Sequence, residues 1–315
     1  MISGVGYVKI NNLLKFKQMK NFYCGIAFLL TSIAGYSQNK NAPDQKINVV
    51  VIGAHPDDCD LGVGGLAAHY STLGHNVKFV SLTTGDKGHQ EMSGGPLARR
   101  RIQEAAEAGR RLGVIYEVLD CPSGELLPTL ENRLKIIKII REWEADIVIS
   151  HRPNDYHPDH RNTSILVQDA AYTVIVPNML PSVPPLRKNP VFLYIRDRFL
   201  RPNPHRPDIA VEIASVFQKK LAALDAHVSQ VYEWLPWTNG YLEQIPKDTD
   251  ERKNWLKNWV SPRYVVTNEI RQSLVKWYGQ EKGSSIQMVE TFEITEYGSQ
   301  PDEAEIRRLF PMLAK

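Results

Sequence analysis

The chain is poor in several features that would place it in a familiar class. Among 315 residues there are only three cysteines, and no two of them have CxxC spacing. A disulfide between Cys59 and Cys121 is not dictated by sequence, and both read as free structural thiols. A net charge of +3 and the absence of long Lys/Arg runs give no case for nucleic acid as a partner. The densest basic spot, Arg99-Arg100-Arg101, reads as one turn of a solvated helix. Gly62, Gly64 and Gly65 lack GxGxxG spacing, which argues against a dinucleotide site and for close packing of a helix. There is no internal repeat and no low-complexity tract. The one N-terminal apolar stretch, Phe22 to Leu30, is too short for a comfortable membrane span.

That stretch has a different explanation. Lys15, Lys17 and Lys20 precede it, and the small residues Ala34, Gly35 and Ser37 follow, in the order of a secretory signal peptide. Residues 1–37 are therefore expected to be a removable leader that takes Cys24 with it. Met19 is the expected natural start, and cleavage near Ser37 leaves an exported mature chain beginning at Gln38, with no membrane span.

What is present is chemistry at strand exits. The apolar run Ile47 to Gly53 reads as a buried parallel strand and leads into Ala54-His55-Pro56-Asp57-Asp58. Ligand chemistry in open α/β sheets gathers beyond the carboxyl ends of such strands. A catalytic zinc needs three protein ligands and an open position, and this block offers two ligands plus a carboxylate left over as a base. A turn with an Asp as helix N-cap is the competing explanation. A second short strand, Asp146 to Ser150, runs into His151-Arg152-Pro153-Asn154-Asp155-Tyr156-His157-Pro158-Asp159-His160. Two strand exits loaded with His and Asp favour one shared site and a hydrolytic reaction.

From Ile47 to about Ala171 strands and helices alternate, as in a doubly wound sheet. Helices are expected over 63–73, 97–112, 130–143 and 161–173, with strands at 77–83 and 116–119. Beyond Val176 prolines mark a stiff loop, followed by strands at 191–195 and 209–213 and a helix over 216–227. The tail is expected to hold a helix at 270–278, a strand at 287–294 and a short terminal helix. The fold class is α/β, a Rossmann-like, mostly parallel sheet, with a domain over 46–240 and a C-terminal extension, 241–315, packed on it.

Ala54-His55-Pro56-Asp57-Asp58 and His157-Pro158-Asp159-His160 together resemble the PIG-L/LmbE-like family of zinc-dependent deacetylases. Arg101-Ile102-Gln103-Glu104, with Ala108, Leu112 and Gly113 behind it, fits the same pattern, as do Lys220 and His227-Val228-Ser229-Gln230. The resemblance covers about Val49 to Gln230. It implies one zinc per chain on His55, Asp58 and His160, with Asp57 as general base. His157 would stabilise the oxyanion or protonate the leaving amine, with Asp159 orienting it, and Arg101 would help hold the substrate. His227 is a further candidate substrate contact, with a core histidine capping a loop as the simpler reading. Cys59 stands where the family commonly carries Glu or Ala.

Some alternatives stay open. His151 is a rival ligand, although Pro153 is expected to turn it away, and His157 competes with His160. His89 and Asp86 lie at a neighbouring strand exit, where a solvated loop His is the simpler reading. Proton return to the amine is open between His157 and Asp57. The aromatic stretch Tyr232 to Trp237 suits either the apolar faces of a sugar or plain packing. The expected activity is removal of an acyl group, acetyl foremost, from an amino sugar or glycoconjugate. A zinc amidase or esterase on a non-sugar substrate is the alternative, as is a non-catalytic sugar-binding module. Oligomeric state is not set by the sequence.

Overall fold

A computed structural model describes residues 46–313. The leader, the start at Met19 and the cleavage site near Ser37 lie outside the described residues.

Seven strands form one sheet in the order β3-β2-β1-β4-β5-β7-β6. They are β1 (Asn48–Gly53), β2 (Asn76–Thr83), β3 (Ile115–Cys121), β4 (Ile147–Ser150), β5 (Val191–Ile195), β6 (Ile209–Glu212) and β7 (Val289–Gly298). The first five are mutually parallel, and β7 runs antiparallel to both β5 and β6. The central strands β1 and β4 are buried almost throughout, as expected for strands covered on both faces. Chain order reverses between β1 and β4, which opens a crevice at their carboxyl ends.

Helices α1 (Asp58–Thr72), α2 (Gly94–Leu112), α3 (Leu130–Glu142) and α4 (Pro158–Thr173) complete the alternating half. After them come α5 (Phe217–Ala226), α6 (Leu235–Thr238), α7 (Thr249–Val260), α8 (Asn268–Tyr278), α9 (Gln280–Ser285) and α10 (Glu303–Leu309). One face of the sheet packs Val49, Val51 and Phe79 against Val63, Leu66 and Leu112. The other packs Val50, Ile52 and Val148 against Ile136, Ile140 and Leu166. This is the period-two alternation of a strand, used on both sides.

The extension over 241–315 does more than pack on the domain. Its strand β7 sits between β5 and β6, and β6 pairs only with β7 among the described strands. The expected boundary near residue 240 thus falls within one sheet. Pairing partners of a short apolar strand depend on tertiary placement, which local pattern does not encode.

Candidate active site

The β1 exit makes a tight turn in which Asp57 adopts φ 151°, a backbone conformation that L side chains disfavour. Asp57 precedes α1 but makes no side-chain capping bond, so the N-cap explanation of this block does not apply. Its Oδ1 instead accepts from Arg101 Nη2 at 2.9 Å. The same nitrogen donates to Pro56 O at 2.8 Å. Arg101 reaches this turn from α2, with Nη1 donating to Gly85 O at 3.3 Å. A Cβ at Gly85 would stand 2.4 Å from that guanidinium, so only glycine leaves room.

The turn folds Asp58 back onto its own strand exit. Its Oδ2 accepts from the backbone N–H groups of Ala54 at 3.0 Å and His55 at 2.8 Å. His55 Nδ1, Asp58 Oδ2 and His160 Nε2 then form a triangle with sides of 3.2, 3.6 and 3.5 Å. Tetrahedral donors at zinc–ligand distances of 2.0–2.1 Å stand about 3.4 Å apart. The three atoms would therefore suit a tetrahedral metal ion. Each imidazole of the triangle gives its other nitrogen to a carboxylate. His55 Nε2 bonds Asp159 Oδ2 at 3.1 Å, and His160 Nδ1 bonds Asp155 Oδ2 at 3.1 Å. Such partners fix ring orientation and raise ligand basicity. Burial lowers the His55 pKa, but Asp159 and Asp58 outweigh it and hold the ring up at about 9.

Two further donor groups overlap this triangle, His55 with His157 and His160, and Asp58 with His151 and His160. The second corrects the expectation that Pro153 turns His151 away. Ser150 pairs with Ile52, so the next residue emerges beside the β1 turn before Pro153 has any influence. His151 Nε2 lies 3.2 Å from Asp58 Oδ2 and accepts from Ala54 N–H at 3.2 Å. Its ring stacks on His160 with centroids 4.2 Å apart.

His157 is the cap residue of α4, its Nδ1 accepting from Asp159 N–H at 3.2 Å. Burial, then the neighbouring His55 and His160, push its pKa below the ordinary imidazole value. The neutral ring therefore carries its proton on Nε2, the tautomer of a donor. Asp159 orients it through its backbone N–H and not through its carboxylate. That carboxylate is taken by His55 and by Gly124 N–H at 2.6 Å, while its approach to His157 Nδ1 is 3.9 Å. Asp155 fixes the main chain here, accepting from the His157 backbone N–H at 2.9 Å. Sequence reasoning passed over Asp155, whose signal is its position five residues before His160 in the same loop.

His227 is also corrected as a substrate contact. It is fully buried, with Nε2 bonded to Asp60 Oδ2 at 3.0 Å. The motif around it acts indirectly: Glu104 of α2 accepts from Ser229 N–H at 2.9 Å, and Gln230 donates to Gly88 O at 2.9 Å. His89 pairs with Glu233 at 2.8 Å, and Asp86 accepts from Ser123 N–H at 2.8 Å, so neither joins the donor cluster.

These groups meet at a cavity of roughly 620 Å3, lined by His55, Asp57, Asp58, Arg101, His157, His160, Gln230 and Trp234 among others. Burial raises the Asp57 pKa and Arg101 opposes it, leaving a carboxylate with enhanced proton affinity. A metal-ligand triangle, a neighbouring carboxylate of raised pKa and an imidazole donor around one cavity are the parts that hydrolysis of an acyl bond needs.

Residues 50–171 match the PIG-L family, described as GlcNAc-PI de-N-acetylase. The diacetylchitobiose deacetylase of Thermococcus kodakarensis is 32% identical over 243 residues, covering 73% of this chain and 87% of the relative. The 4-oxalmesaconate hydratase of Pseudomonas putida is 25% identical over 222 residues, covering 66% and 82%. Among solved structures, the N,N′-diacetylchitobiose deacetylase from Pyrococcus horikoshii, complexed with its inhibitor, aligns with a TM-score of 0.58 at 25% identity. The alignment covers 78% of this chain and 83% of that one.

Proposed function

The chain belongs to the PIG-L family of zinc-dependent deacetylases, and from that premise we propose that it removes an N-acetyl group from an amino sugar or glycoconjugate. The observation that carries this reading is the donor triangle of His55, Asp58 and His160 with Asp57 beside it. In our proposal these three residues hold one zinc ion. When bound, zinc supplies Lewis acidity and lowers the pKa of a coordinated water to about 7.

The chain's own residues then divide the remaining work. Asp57 is the general base: Arg101 occupies its Oδ1, leaving Oδ2 to take the proton of the attacking water. His157 offers its Nε2–H to the developing oxyanion, a contribution typically worth about 3 kcal/mol. The amine leaves with the proton that Asp57 took from the water, since the neutral His157 has none to spare. Arg101 positions the base more than it grips substrate, since its guanidinium is committed to the β1 turn. Trp234 lines the cavity and stacks on Trp237, with centroids 5.3 Å apart, offering a flat platform for a sugar ring.

The test combines metal analysis with amine release from N,N′-diacetylchitobiose, alongside simple N-acetylated amines. Wild type is expected to hold about one zinc, and His55→Ala or Asp58→Ala to lose it. Asp57→Asn should keep the metal and lose roughly 100-fold or more in turnover. An unchanged rate for Asp57→Asn would overturn the base assignment. The likeness to a hydratase favours a second reading, addition of water to a C=C bond, which would appear as turnover of 4-oxalmesaconate without amine release.

A further inference from the structure

The cleft does not end at the metal-ligand triangle. A second cavity of roughly 460 Å3 adjoins the first, and Asp58, Leu61, Tyr156 and His160 line both. Its outer wall carries Arg152, Arg196, Arg198 and Arg263. Arg152 is neutralised by Asp197 at 2.9 Å and Glu293 at 3.3 Å. The other three have no carboxylate within ion-pair distance among the described residues. Arg196 donates to Val265 O at 3.4 Å, and Arg263 donates to Trp259 O at 2.8 Å with its guanidinium over the Trp259 ring.

The acidic groups facing this cavity are engaged elsewhere, except that Asp197 Oδ2 is buried without a hydrogen-bond partner. Asp155 bonds His160, Asp197 bonds Arg152, Glu290 pairs with Lys220, and Asp58 belongs to the ligand triangle. Three guanidiniums on this wall thus lack an ion-pair partner among the described residues, and they outnumber the one unpartnered carboxylate oxygen, that of Asp197. Their proximity has an electrostatic cost: burial pushes the pKa of both Arg196 and Arg263 down, and the charge of Arg198 lowers each further. Arginines grouped in this way match the planar or tetrahedral oxygens of carboxylates, sulfates and phosphates, which they bind through forked, charge-assisted hydrogen bonds.

We propose that this second cavity is a subsite for an anionic group on the substrate, a carboxylate or a sulfate or phosphate ester, held by Arg196, Arg198 and Arg263. The word substrate rests on the deacetylase reading; the anion site itself rests on the three arginines and the continuous cleft. The preferred ligand is then an acidic N-acylated glycan rather than a neutral one, with its acyl group over the triangle and its anion across Tyr156.

Binding to the zinc-loaded full chain, measured by titration calorimetry beside initial rates of amine release, tests this with three probes. These are N,N′-diacetylchitobiose, its 6-O-sulfated form, and the disaccharide of N-acetylglucosamine with glucuronate. Wild type should bind at least one acidic probe about 10-fold or more tightly than the neutral one. The margin should shrink as salt rises. Arg198→Gln and Arg263→Gln should erase it while leaving zinc content and neutral-probe affinity unchanged. The more favoured acidic probe identifies the oxyanion. Equal affinities in wild type, or variants that weaken neutral and acidic probes alike, would overturn the subsite. Amine release with no acidic preference would sink the subsite and keep the deacetylase reading. A salt-sensitive acidic preference without amine release would do the reverse.

Discussion

Asp57 holds a backbone angle that a side chain disfavours, φ 151°, and bonds Arg101 rather than any imidazole. Strain of this kind persists where the surroundings impose it, here the turn pinned by Asp58 and Arg101. Both Asp57→Gly and Asp57→Ala should be inactive and leave Arg101 without its partner. Because glycine tolerates the angle, Asp57→Gly should nevertheless be the more stable of the two by about 1 kcal/mol in urea unfolding. Metal affinity is the measure of the outer carboxylates. Asp159→Ala and Asp155→Ala should each weaken zinc binding about 10–100-fold, read by chelator competition, because His55 and His160 lose their orienting acceptors. Much of this site is legible in the sequence, since His55, Asp57 and Asp58 are adjacent and His160 closes a compact motif. Which carboxylate serves which ring is not legible. Asp159 sits two residues from His157 yet serves His55, because side-chain direction at the α4 start, not sequence distance, decides the contact.

At the scale of elements, α1 carries the carboxylate of the donor triangle and α4 one of its imidazoles. The helix α1 is the one braced from afar. It begins at Asp58, five residues earlier than its apolar pattern suggests, because Asp58 and Asp60 interrupt the hydrophobic residues of its first turn. Within it, Gly65 and Leu66 donate their N–H groups to the two oxygens of Glu290 at 2.7 Å each. Leu61 O accepts from Lys220 Nζ and from Tyr264 OH, at 2.8 Å each. A Cβ on Gly65 would stand 2.6 Å from Ile213 and 2.9 Å from Glu290, so the glycine lets the carboxylate reach the backbone. The Lys220–Glu290 pair, fully buried, thus braces the helix from two other elements. Lys220→Met should cost about 3 kcal/mol or more, by leaving Glu290 buried and uncompensated. Removing both charges often relieves a buried pair, but here Lys220→Met with Glu290→Leu should remain destabilised, since two helix N–H groups lose their acceptor. Thermal unfolding of the single and double variants reads both outcomes. The lysine is visible in sequence as part of a family pattern, whereas its glutamate, 70 residues away, is not.

Over the whole molecule the alternating half reads directly from pattern, as short β-branched runs and amphipathic helices recur in order. The second half does not, because β7 enters the sheet between β5 and β6 after a long detour through α5 to α9. Its existence is readable and its neighbours are not. A chain stopped after Gly240 should therefore fail to fold, leaving β6 unpaired and α1 unbraced; circular dichroism and solubility of the shortened protein test this, and a soluble, cooperatively unfolding product would refute it. The same connectivity bears on how such an enzyme changes over generations. Glu290 lies on β7, grips the helix that presents Asp58, and faces the cavity of the three arginines. A tail acquired from a relative would have to arrive with a glutamate at that register and meet a lysine already waiting on α5. New specificity in this lineage is thereby confined to changes around the brace, and wholesale exchange of the tail becomes a two-site event.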